Sequence, residues 1–179
     1  MLDAAGVEYE AIPAQVDEAA IKARLSTATE IAVTLAQAKA LDISSRRSSN
    51  WIAGSDSVVS VGGRLFDKPA NREDAADHLR FFSGKALVLT SAVALARAGR
   101  IDWSHVESAA LHVRALSEEF IRSYLDMEWP EVGYCVGVFR LEGPGVQLFS
   151  SIDGNYFTIL GMPLVPLLGA LRERGLLAS

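Results

Sequence analysis

A long and mostly apolar segment, residues 86–96, places the strongest constraint on the fold of this chain. An apolar run that is bounded by turn residues predicts a buried β-strand. Ala98-Gly99-Arg100 is a turn signal directly after it, and residues 105–115 are predicted to form its antiparallel partner strand. A second hairpin is predicted around Gly62-Gly63. Because hairpins are combined with helices that alternate with strands, we expect an α/β protein with a mixed sheet rather than a purely parallel one.

The other elements are predicted from capping residues and from the spacing of apolar positions. Apolar residues recur at helical spacing over 26–41, which predicts a helix there. Asn71 and Ser117 are residue types that cap helices, and each precedes an amphipathic segment. The pattern further predicts a helix over 164–174 and strands over 7–12, 51–56, 146–150 and 157–160.

The composition limits the classes of protein to which the chain can belong. It has 179 residues, of which 50% are hydrophobic, so we predict a single domain over residues 1–179. A formal net charge of −5 argues against nucleic acid or an anionic membrane as a partner, because proteins that bind them are normally basic. Cys135, the one cysteine, excludes an internal disulfide and fits a reducing compartment. The N-terminus has no signal-peptide pattern, so we expect a cytoplasmic protein.

Two charged positions beside apolar segments are the first candidates for a functional site. Asp56 follows the apolar run Trp51-Ile52-Ala53-Gly54-Ser55, and Lys68 lies shortly after it in Asp67-Lys68-Pro69. A carboxylate that ends a buried strand lies at a sheet edge, where α/β proteins usually bind ligands. A lysine on a turn that contains proline can bring positive charge to the same edge. The pair predicts a site for a metal-bound, phosphorylated substrate.

Each charged candidate also has an ordinary structural interpretation. Glu18 and the residue before it could cap the helix that follows. Lys39 could lay its aliphatic stem along the apolar face of its helix and keep its ammonium group in water. Lys68 could be a turn charge, and Glu142 a solvated loop carboxylate. Asp56 is the hardest to explain in this way, because an ionised carboxylate after an apolar strand is unfavourable unless it is paired or bound to metal.

Six short motifs in a fixed order extend over nearly the whole chain. They are Val16-Asp17-Glu18, Ala38-Lys39-Ala40, Gly54-Ser55-Asp56-Ser57-Val58-Val59, Asp67-Lys68-Pro69, Ser83-Gly84-Lys85 and Gly161-Met162-Pro163-Leu164. The series resembles the Maf family of nucleoside triphosphate pyrophosphatases, or septum formation inhibitors. One such motif would be weak evidence, whereas six in the right order are a strong signal. The resemblance implies a Maf/ITPase-like α/β fold, with a mixed twisted sheet flanked by helices and a cleft between two lobes.

The chain departs from the family pattern at two places. Glu142 stands where family members usually have glutamine, which is closer to the branch that acts on 7-methyl-GTP than to the branch that acts on dTTP and UTP. A carboxylate only accepts hydrogen bonds, whereas glutamine also donates them, so base selectivity should differ. The family's first strand and its Ser-x-Ser-x-x-Arg-Arg loop have no counterpart in this chain, and Arg46-Arg47 is not a replacement by position. We therefore expect either a misplaced start codon or a truncated and catalytically impaired protein.

The resemblance implies hydrolysis of a nucleoside triphosphate between its α and β phosphates, which releases a monophosphate and pyrophosphate. It implies a divalent cation, Mg²⁺ or Mn²⁺, bound by Asp56 and Glu18, and Asp56 could instead be the base that orients the attacking water. Lys39 and Lys68 would neutralise phosphate charge, and Glu142 would lie near the base or the metal. The residues assigned to substrate binding are therefore Glu18, Lys39, Lys68 and Glu142.

The family also suggests a homodimer and the removal of non-standard nucleotides. Two alternatives to this interpretation stay open. The first is a non-catalytic, nucleotide-binding regulator of cell division with the same fold. The second is a metal-dependent phosphatase that releases orthophosphate instead of pyrophosphate.

Overall fold

The computed structural model describes residues 1–178 and confirms an α/β fold. The helices are α1 (Glu18–Lys22), α2 (Ala28–Arg46), α3 (Arg72–Phe82), α4 (Glu118–Glu128), α5 (Tyr156–Ile159) and α6 (Leu164–Glu173). The strands are β1 (Ile52–Val61), β2 (Arg64–Phe66), β3 (Ala86–Arg97), β4 (Arg100–Val113) and β5 (Phe149–Asp153). Short 3-10 turns lie at Asp3–Ala5, Glu131–Tyr134 and Pro144–Leu148. Within residues 1–178, none of the helices is both long and apolar enough to cross a bilayer.

The strands form one sheet in the order β2-β1-β3-β4-β5. β1 and β2 pair antiparallel with Val59 opposite Phe66, which confirms the hairpin predicted at Gly62-Gly63. Both glycines have positive φ, at 58° and 80°, a conformation that glycine adopts readily because it has no Cβ. β4 and β5 also pair antiparallel, with Leu111 opposite Ile152.

The described chain divides into two compact units. Unit 1 contains Met1–Ser57, Thr90–Glu107 and the residues from Tyr156 onward, and unit 2 contains Val58–Leu89 and Ser108–Asn155. Each unit has buried apolar side chains of its own. In unit 1, residues of β3 pack with residues of α6: Val93, Leu95, Leu167, Ala170 and Leu171. In unit 2, the buried side chains include Phe66, Leu79, Phe82, Tyr124 and Leu125.

The capping predictions are correct, and their geometry explains where α3 and α4 begin. Asn71 accepts a hydrogen bond from the backbone N–H of Asp74 at 3.0 Å, and α3 begins at the next residue. Ser117 accepts one from the backbone N–H of Phe120 at 3.1 Å, and α4 begins in the same way. These side chains bind N–H groups of the first helical turn that have no partner within the helix.

Residues 7–12 form no strand, and this prediction is wrong. Two nitrogens of the Arg47 guanidinium donate to the Glu10 carboxylate, at 3.1 and 3.3 Å. The backbone N–H of Gln15 donates to Asp42 Oδ2 at 2.8 Å. Side chains on and just after α2 therefore hold this segment, in place of the hydrogen bonds of a strand pair. α2 itself runs to Arg46, beyond the predicted end at residue 41.

Two predictions near the C-terminus also fail. Residues 157–160 were expected to form a strand, but α5 lies there and the backbone N–H of Leu160 donates to the carbonyl of Tyr156 at 3.1 Å. Most of the strand predicted over 146–150 is a 3-10 turn, and β5 begins only at Phe149. Short apolar segments fit either structure by their spacing alone, so tertiary contacts decide between them.

Candidate active site

One lysine and two carboxylates of unit 1 form a cluster. Lys39 Nζ lies 2.5 Å from Asp56 Oδ1 and 2.8 Å from Glu18 Oε1. The side chain of Asp56 is 11% exposed and that of Lys39 is 26% exposed, while Glu18 is more open at 45%. The structure therefore brings together three of the predicted site residues, which we call the Glu18–Lys39–Asp56 triad.

α2 positions the ammonium group of the triad. The helix begins with a capping box, in which Thr27 Oγ1 accepts from the backbone N–H of Glu30 and the Glu30 carboxylate accepts from that of Thr27. Its buried face contains Leu35, Ala36 and Ala40. Lys39 borders this face and makes two ion pairs, so it is not an ordinary lysine with its ammonium group in water.

Glu18 is placed by the start of the short helix α1. Asp17 is the residue that caps this helix, because its Oδ1 accepts a hydrogen bond from the backbone N–H of Ala20 at 3.0 Å. The capping interpretation is therefore correct for Asp17. Glu18 is the first helical residue, and its carboxylate binds Lys39.

A glycine allows β1 to approach α2 closely. A Cβ at Gly54 would lie 2.4 Å from the carbonyl oxygen of Ala36 and 2.6 Å from the backbone nitrogen of Ala40. Contacts this short would force the strand away from the helix. Asp56 follows only two residues later, so the close approach at Gly54 also brings the Asp56 carboxylate within contact distance of the Lys39 ammonium group.

Asp56 lies in the middle of a strand and not at its end, which corrects the sequence-based expectation. β1 continues through Asp56 to Val61. The hydroxyls on either side of Asp56 explain this, because they are bonded within unit 1. Ser55 Oγ lies 2.8 Å from the carbonyl oxygen of Ala92, and Ser57 Oγ lies 2.6 Å from Ser91 Oγ.

These serines support the site, and sequence reasoning did not single them out. Ser55 Oγ also donates to the carbonyl oxygen of Gly161 at 2.9 Å, within the motif Gly161-Met162-Pro163-Leu164. Successive side chains of a strand point to opposite faces, so Ser55 and Ser57 share one face and Asp56 projects from the other. The Ser-Asp-Ser alternation was the available signal for this arrangement.

The electrostatics of the triad favour the uptake of positive charge. Burial raises the pKa of Asp56, and the hydrogen bond from Lys39 only partly offsets this effect. Burial lowers the pKa of Lys39, but its hydrogen bonds to Asp56 and Glu18 outweigh burial, so the pKa of Lys39 is raised overall. The charge of Glu18 adds to the rise in the pKa of Asp56, while the charge of Lys22 lowers it. Since the net shift is upward, an additional cation or proton at Asp56 is stabilised.

The donor set of the triad fits a hard divalent cation. Since the oxygens of Glu18 and Asp56 bind the same nitrogen, the two oxygens are no farther apart than the sum of those two contact distances. Residues 1–178 contain no group of three or more His, Cys, Asp or Glu side chains that could hold a metal ion by themselves. Mg²⁺ is commonly bound by one or two carboxylates together with substrate phosphates, so two carboxylates suffice.

Lys68 and Glu142 lie in unit 2, in a different setting. Lys68 is exposed in the loop after β2, next to the buried Pro69, and Glu142 is exposed in the turn before the 3-10 segment at residue 144. Their charges both act on Cys135, whose thiol pKa is raised mainly by burial, with Glu142 raising it and Lys68 lowering it. Lys68 and Glu142 are therefore near a common neighbour within this unit.

The chain matches a protein family and is similar to several known proteins. The family model described as "Maf-like protein" matches residues 1–174. A "7-methyl-GTP pyrophosphatase" from Rhizobium etli is 46% identical over 179 residues, which cover 98% of this chain and 90% of that protein. A "nucleoside triphosphate pyrophosphatase" from Nitrobacter winogradskyi is 45% identical over 180 residues, with 99% and 89% covered. A "7-methyl-GTP pyrophosphatase" from Brucella suis is 43% identical over 177 residues, with 97% and 89% covered.

Proposed function

The chain belongs to the Maf-like protein family, and from this premise we propose that it hydrolyses nucleoside triphosphates to monophosphates and pyrophosphate. Relatives that are 42–46% identical over nearly the whole chain carry the names of such pyrophosphatases. The observation that carries the proposal is the Glu18–Lys39–Asp56 triad, in which one ammonium group is shared by two carboxylates.

Asp56 and Glu18 would hold a divalent cation, Mg²⁺ or Mn²⁺. When bound, this cation would neutralise triphosphate charge and stabilise the negative charge that develops in the transition state. The support for the assignment is the oxygen donor set, together with the raised pKa of the buried Asp56. A cation held by these residues would also lower the raised pKa of Asp56.

The residues of the triad have distinct tasks in the reaction. Asp56 is mostly buried, and its carboxylate can accept the proton of the water that attacks phosphorus. As the new P–O bond forms, the bond between the bridging oxygen and the attacked phosphorus breaks, and the α–β linkage is split. Lys39 stays protonated because its pKa is raised, so its ammonium group can stabilise phosphate oxygens.

Lys68 and Glu142 bind substrate in this proposal. Lys68 is an exposed ammonium group suited to phosphate oxygens, and Glu142 is an exposed carboxylate suited to the base. Methylation at N7 gives guanine a positive charge, and guanine also presents N–H donors. A carboxylate complements both features, whereas glutamine would meet the charge only with a dipole. We therefore assign 7-methyl-GTP, or a similarly modified purine nucleotide, as the preferred substrate.

Two further parts of the proposal concern the setting of the enzyme. A cytoplasmic location is supported by the lone Cys135, which suits a reducing compartment. A homodimer is supported only by the family resemblance, and gel filtration with light scattering at several protein concentrations measures it directly.

A product assay tests the proposed function. The protein is incubated with 7-methyl-GTP, GTP, dTTP, UTP and ATP, with Mg²⁺, Mn²⁺ or a chelator, and pyrophosphate and orthophosphate are measured separately. We expect pyrophosphate and the nucleoside monophosphate in equal amounts, only with metal, and most rapidly from 7-methyl-GTP. Release of orthophosphate alone would indicate a phosphatase, and nucleotide binding without release would indicate a non-catalytic regulator.

A further inference from the structure

An ion pair of unit 2, between the partly exposed Arg140 and the buried Glu128, lies close to Glu142 along the chain. Nε and Nη2 of Arg140 donate to Glu128 Oε2 at 3.1 and 3.0 Å, and the side chain of Glu128 is only 5% exposed. Glu128 is also the last residue of α4, where the helix dipole disfavours negative charge. A buried carboxylate at this end of a helix is unfavourable without a partner, so Arg140 is required by Glu128.

The segment that carries Arg140 and Glu142 is a tight loop, which we call the Glu142 loop (residues 138–145). The backbone N–H of Gly143 donates to the carbonyl of Arg140 at 3.3 Å, which closes a turn with Glu142 inside it. A Cβ at Gly145 would lie 2.5 Å from the same carbonyl oxygen and 2.8 Å from the backbone nitrogen of Arg140. The backbone of Arg140 is therefore the packing centre of the loop.

A second contact holds the start of the loop. Val138 is fully buried and has φ 55°, an unfavourable conformation for a β-branched residue. Its carbonyl accepts a hydrogen bond from the buried hydroxyl of Tyr124 at 3.0 Å, and Tyr124 also belongs to α4. α4 therefore contacts the loop at two residues. The Tyr124 hydroxyl binds the backbone of Val138, and the Glu128 carboxylate binds the side chain of Arg140.

The ion pair also borders the residue next to Glu142. A Cβ placed on Gly143 would lie 3.6 Å from Glu128 Oε2 and 3.9 Å from Glu128 Oε1. The Glu128 carboxylate thus lies directly beside the backbone that carries Glu142, and any shift of Arg140 would move that backbone. By contrast, among residues 1–178 the side chain of Glu142 itself takes part in none of the ion pairs that the structure contains.

We propose that Glu128 and Arg140 are positioning residues that fix the Glu142 loop and thereby set the base selectivity of the enzyme. The pair does not touch the reacting phosphates. It holds an exposed carboxylate at one location, because Arg140 anchors the backbone before Glu142 and the Glu128 carboxylate borders the backbone after it. The selectivity part of the inference rests on the proposed function, whereas the positioning part concerns unit 2 alone.

The first test uses Arg140→Met and Glu128→Gln, with Arg140→Lys as the conservative variant. Arg140→Met removes the cation. Glu128→Gln removes the buried charge but keeps the shape of the side chain and an acceptor oxygen, so this variant should fold more readily than Arg140→Met. We expect each to lower the ratio of kcat/KM for 7-methyl-GTP to that for GTP by roughly tenfold, with a raised KM and kcat within about twofold. Arg140→Lys should recover part of the ratio. Unchanged ratios in well-folded variants would overturn the proposal.

Cys135 provides a readout of the loop that does not depend on activity. Its carbonyl accepts a hydrogen bond from the backbone N–H of Val138 at 3.1 Å, and its thiol is partly buried. A loosened loop should expose this thiol, so we expect Arg140→Met to react several-fold faster with an aromatic disulfide reagent at fixed pH. The charge of Arg140 lowers the thiol pKa, so its loss alone would slow the reaction. Faster labelling therefore reports exposure, and slower or equal labelling would contradict the positioning role.

Arg80→Met is the matched control. Arg80 also binds a carboxylate of α4 through two nitrogens, at 3.0–3.2 Å from Glu118, but this carboxylate is exposed and distant in sequence from the loop. It should change neither the base ratio nor the labelling of Cys135. If wild-type protein releases no pyrophosphate, the proposed function fails, while the labelling experiment still decides whether the ion pair holds the loop.

Discussion

The two units hold the charged residues of the candidate site in opposite settings. In unit 1, Lys39 binds both Glu18 and Asp56, and all three residues lie on helices or a strand. Lys39 and Asp56 are mostly shielded from water, and Glu18 is more open. In unit 2, Lys68 and Glu142 are exposed on loops. Regular elements therefore fix the charges of unit 1, whereas loops carry those of unit 2, and in our proposal only Glu142 among the loop charges selects the base.

Asp56→Asn should have the largest effect, and it tests whether the charges of unit 1 carry the reaction. We expect pyrophosphate release to fall by about 10²- to 10⁴-fold, as for the loss of a positioned base. Burial raises the pKa of Asp56, so the ionised form is destabilised by folding, and the variant should be at least as stable as wild type at neutral pH. Thermal unfolding and a pyrophosphate assay measure both quantities. Asp126→Asn, in an exposed pair with Arg72, is the matched control and should leave both unchanged.

Lys39→Met should have the next largest effect, because it removes the one cation of the triad. The two carboxylates would then repel each other, so we expect a lower Tm at low ionic strength as well as a rate loss of about 10²-fold. Added salt or Mg²⁺ should recover part of the stability but little of the rate. Lys85→Met, which removes a lysine of unit 2, serves as the control. Full activity in Lys39→Met would remove the ammonium group from the mechanism.

Glu142→Gln tests whether the exposed carboxylate of unit 2 recognises the base of the substrate. It replaces an exposed carboxylate by its neutral amide of the same shape, so folding should be unaffected. We expect the preference for 7-methyl-GTP over GTP to fall by roughly tenfold, mainly through KM. Competition kinetics with both nucleotides in one reaction measures this ratio directly. A variant with the wild-type preference would mean that Glu142 does not contact the base.

The smallest expected effect concerns Glu107, a carboxylate of unit 1 whose pKa is lowered, whereas that of Asp56 is raised. The hydrogen bond from Thr158 lowers the pKa of Glu107, and His105 adds to this effect. A lowered pKa contributes stability that is present above the unfolded value and is lost as pH falls through the folded value. Glu107→Gln should therefore cost about 1 kcal/mol of unfolding free energy at pH 7 and progressively less below pH 4.5, the ordinary value of this group.

Urea unfolding of Glu107→Gln and of wild type, each at pH 7 and at pH 3, measures this stability difference. Pyrophosphate release at pH 7 should stay close to the wild-type rate at temperatures where both proteins are folded. An equal stability difference at pH 7 and at pH 3 would refute the electrostatic explanation for Glu107.

The sequence predicts the elements whose signals are local. The caps at Asn71 and Ser117 and the hairpin at Gly62-Gly63 are specified by residues within a few positions, and the structure confirms them. The segments at 7–12 and 157–160 were misassigned, because their structure depends on contacts with distant residues such as Arg47.

The candidate site shows the same difference between local sequence signals and tertiary contacts. Motif resemblance identified Glu18, Lys39 and Asp56 as site residues, but the spacing of residues did not show that they share one ion-pair cluster. The close approach of β1 to α2 at Gly54 produces this cluster, and it is a tertiary feature. The Glu128–Arg140 pair was invisible for the same reason, since Glu128 is a helix-end residue whose burial depends on the loop that covers it.

The central claim is that the Glu18–Lys39–Asp56 triad acts as one catalytic group, and a double-mutant cycle tests it most directly. Pyrophosphate release is measured for Glu18→Gln, Asp56→Asn and the double variant under saturating metal. Residues that act as a unit give strongly non-additive losses. We predict that the double variant is within a few-fold of Asp56→Asn alone. A further drop by the full factor of Glu18→Gln would show that the two carboxylates act independently, and would contradict the account.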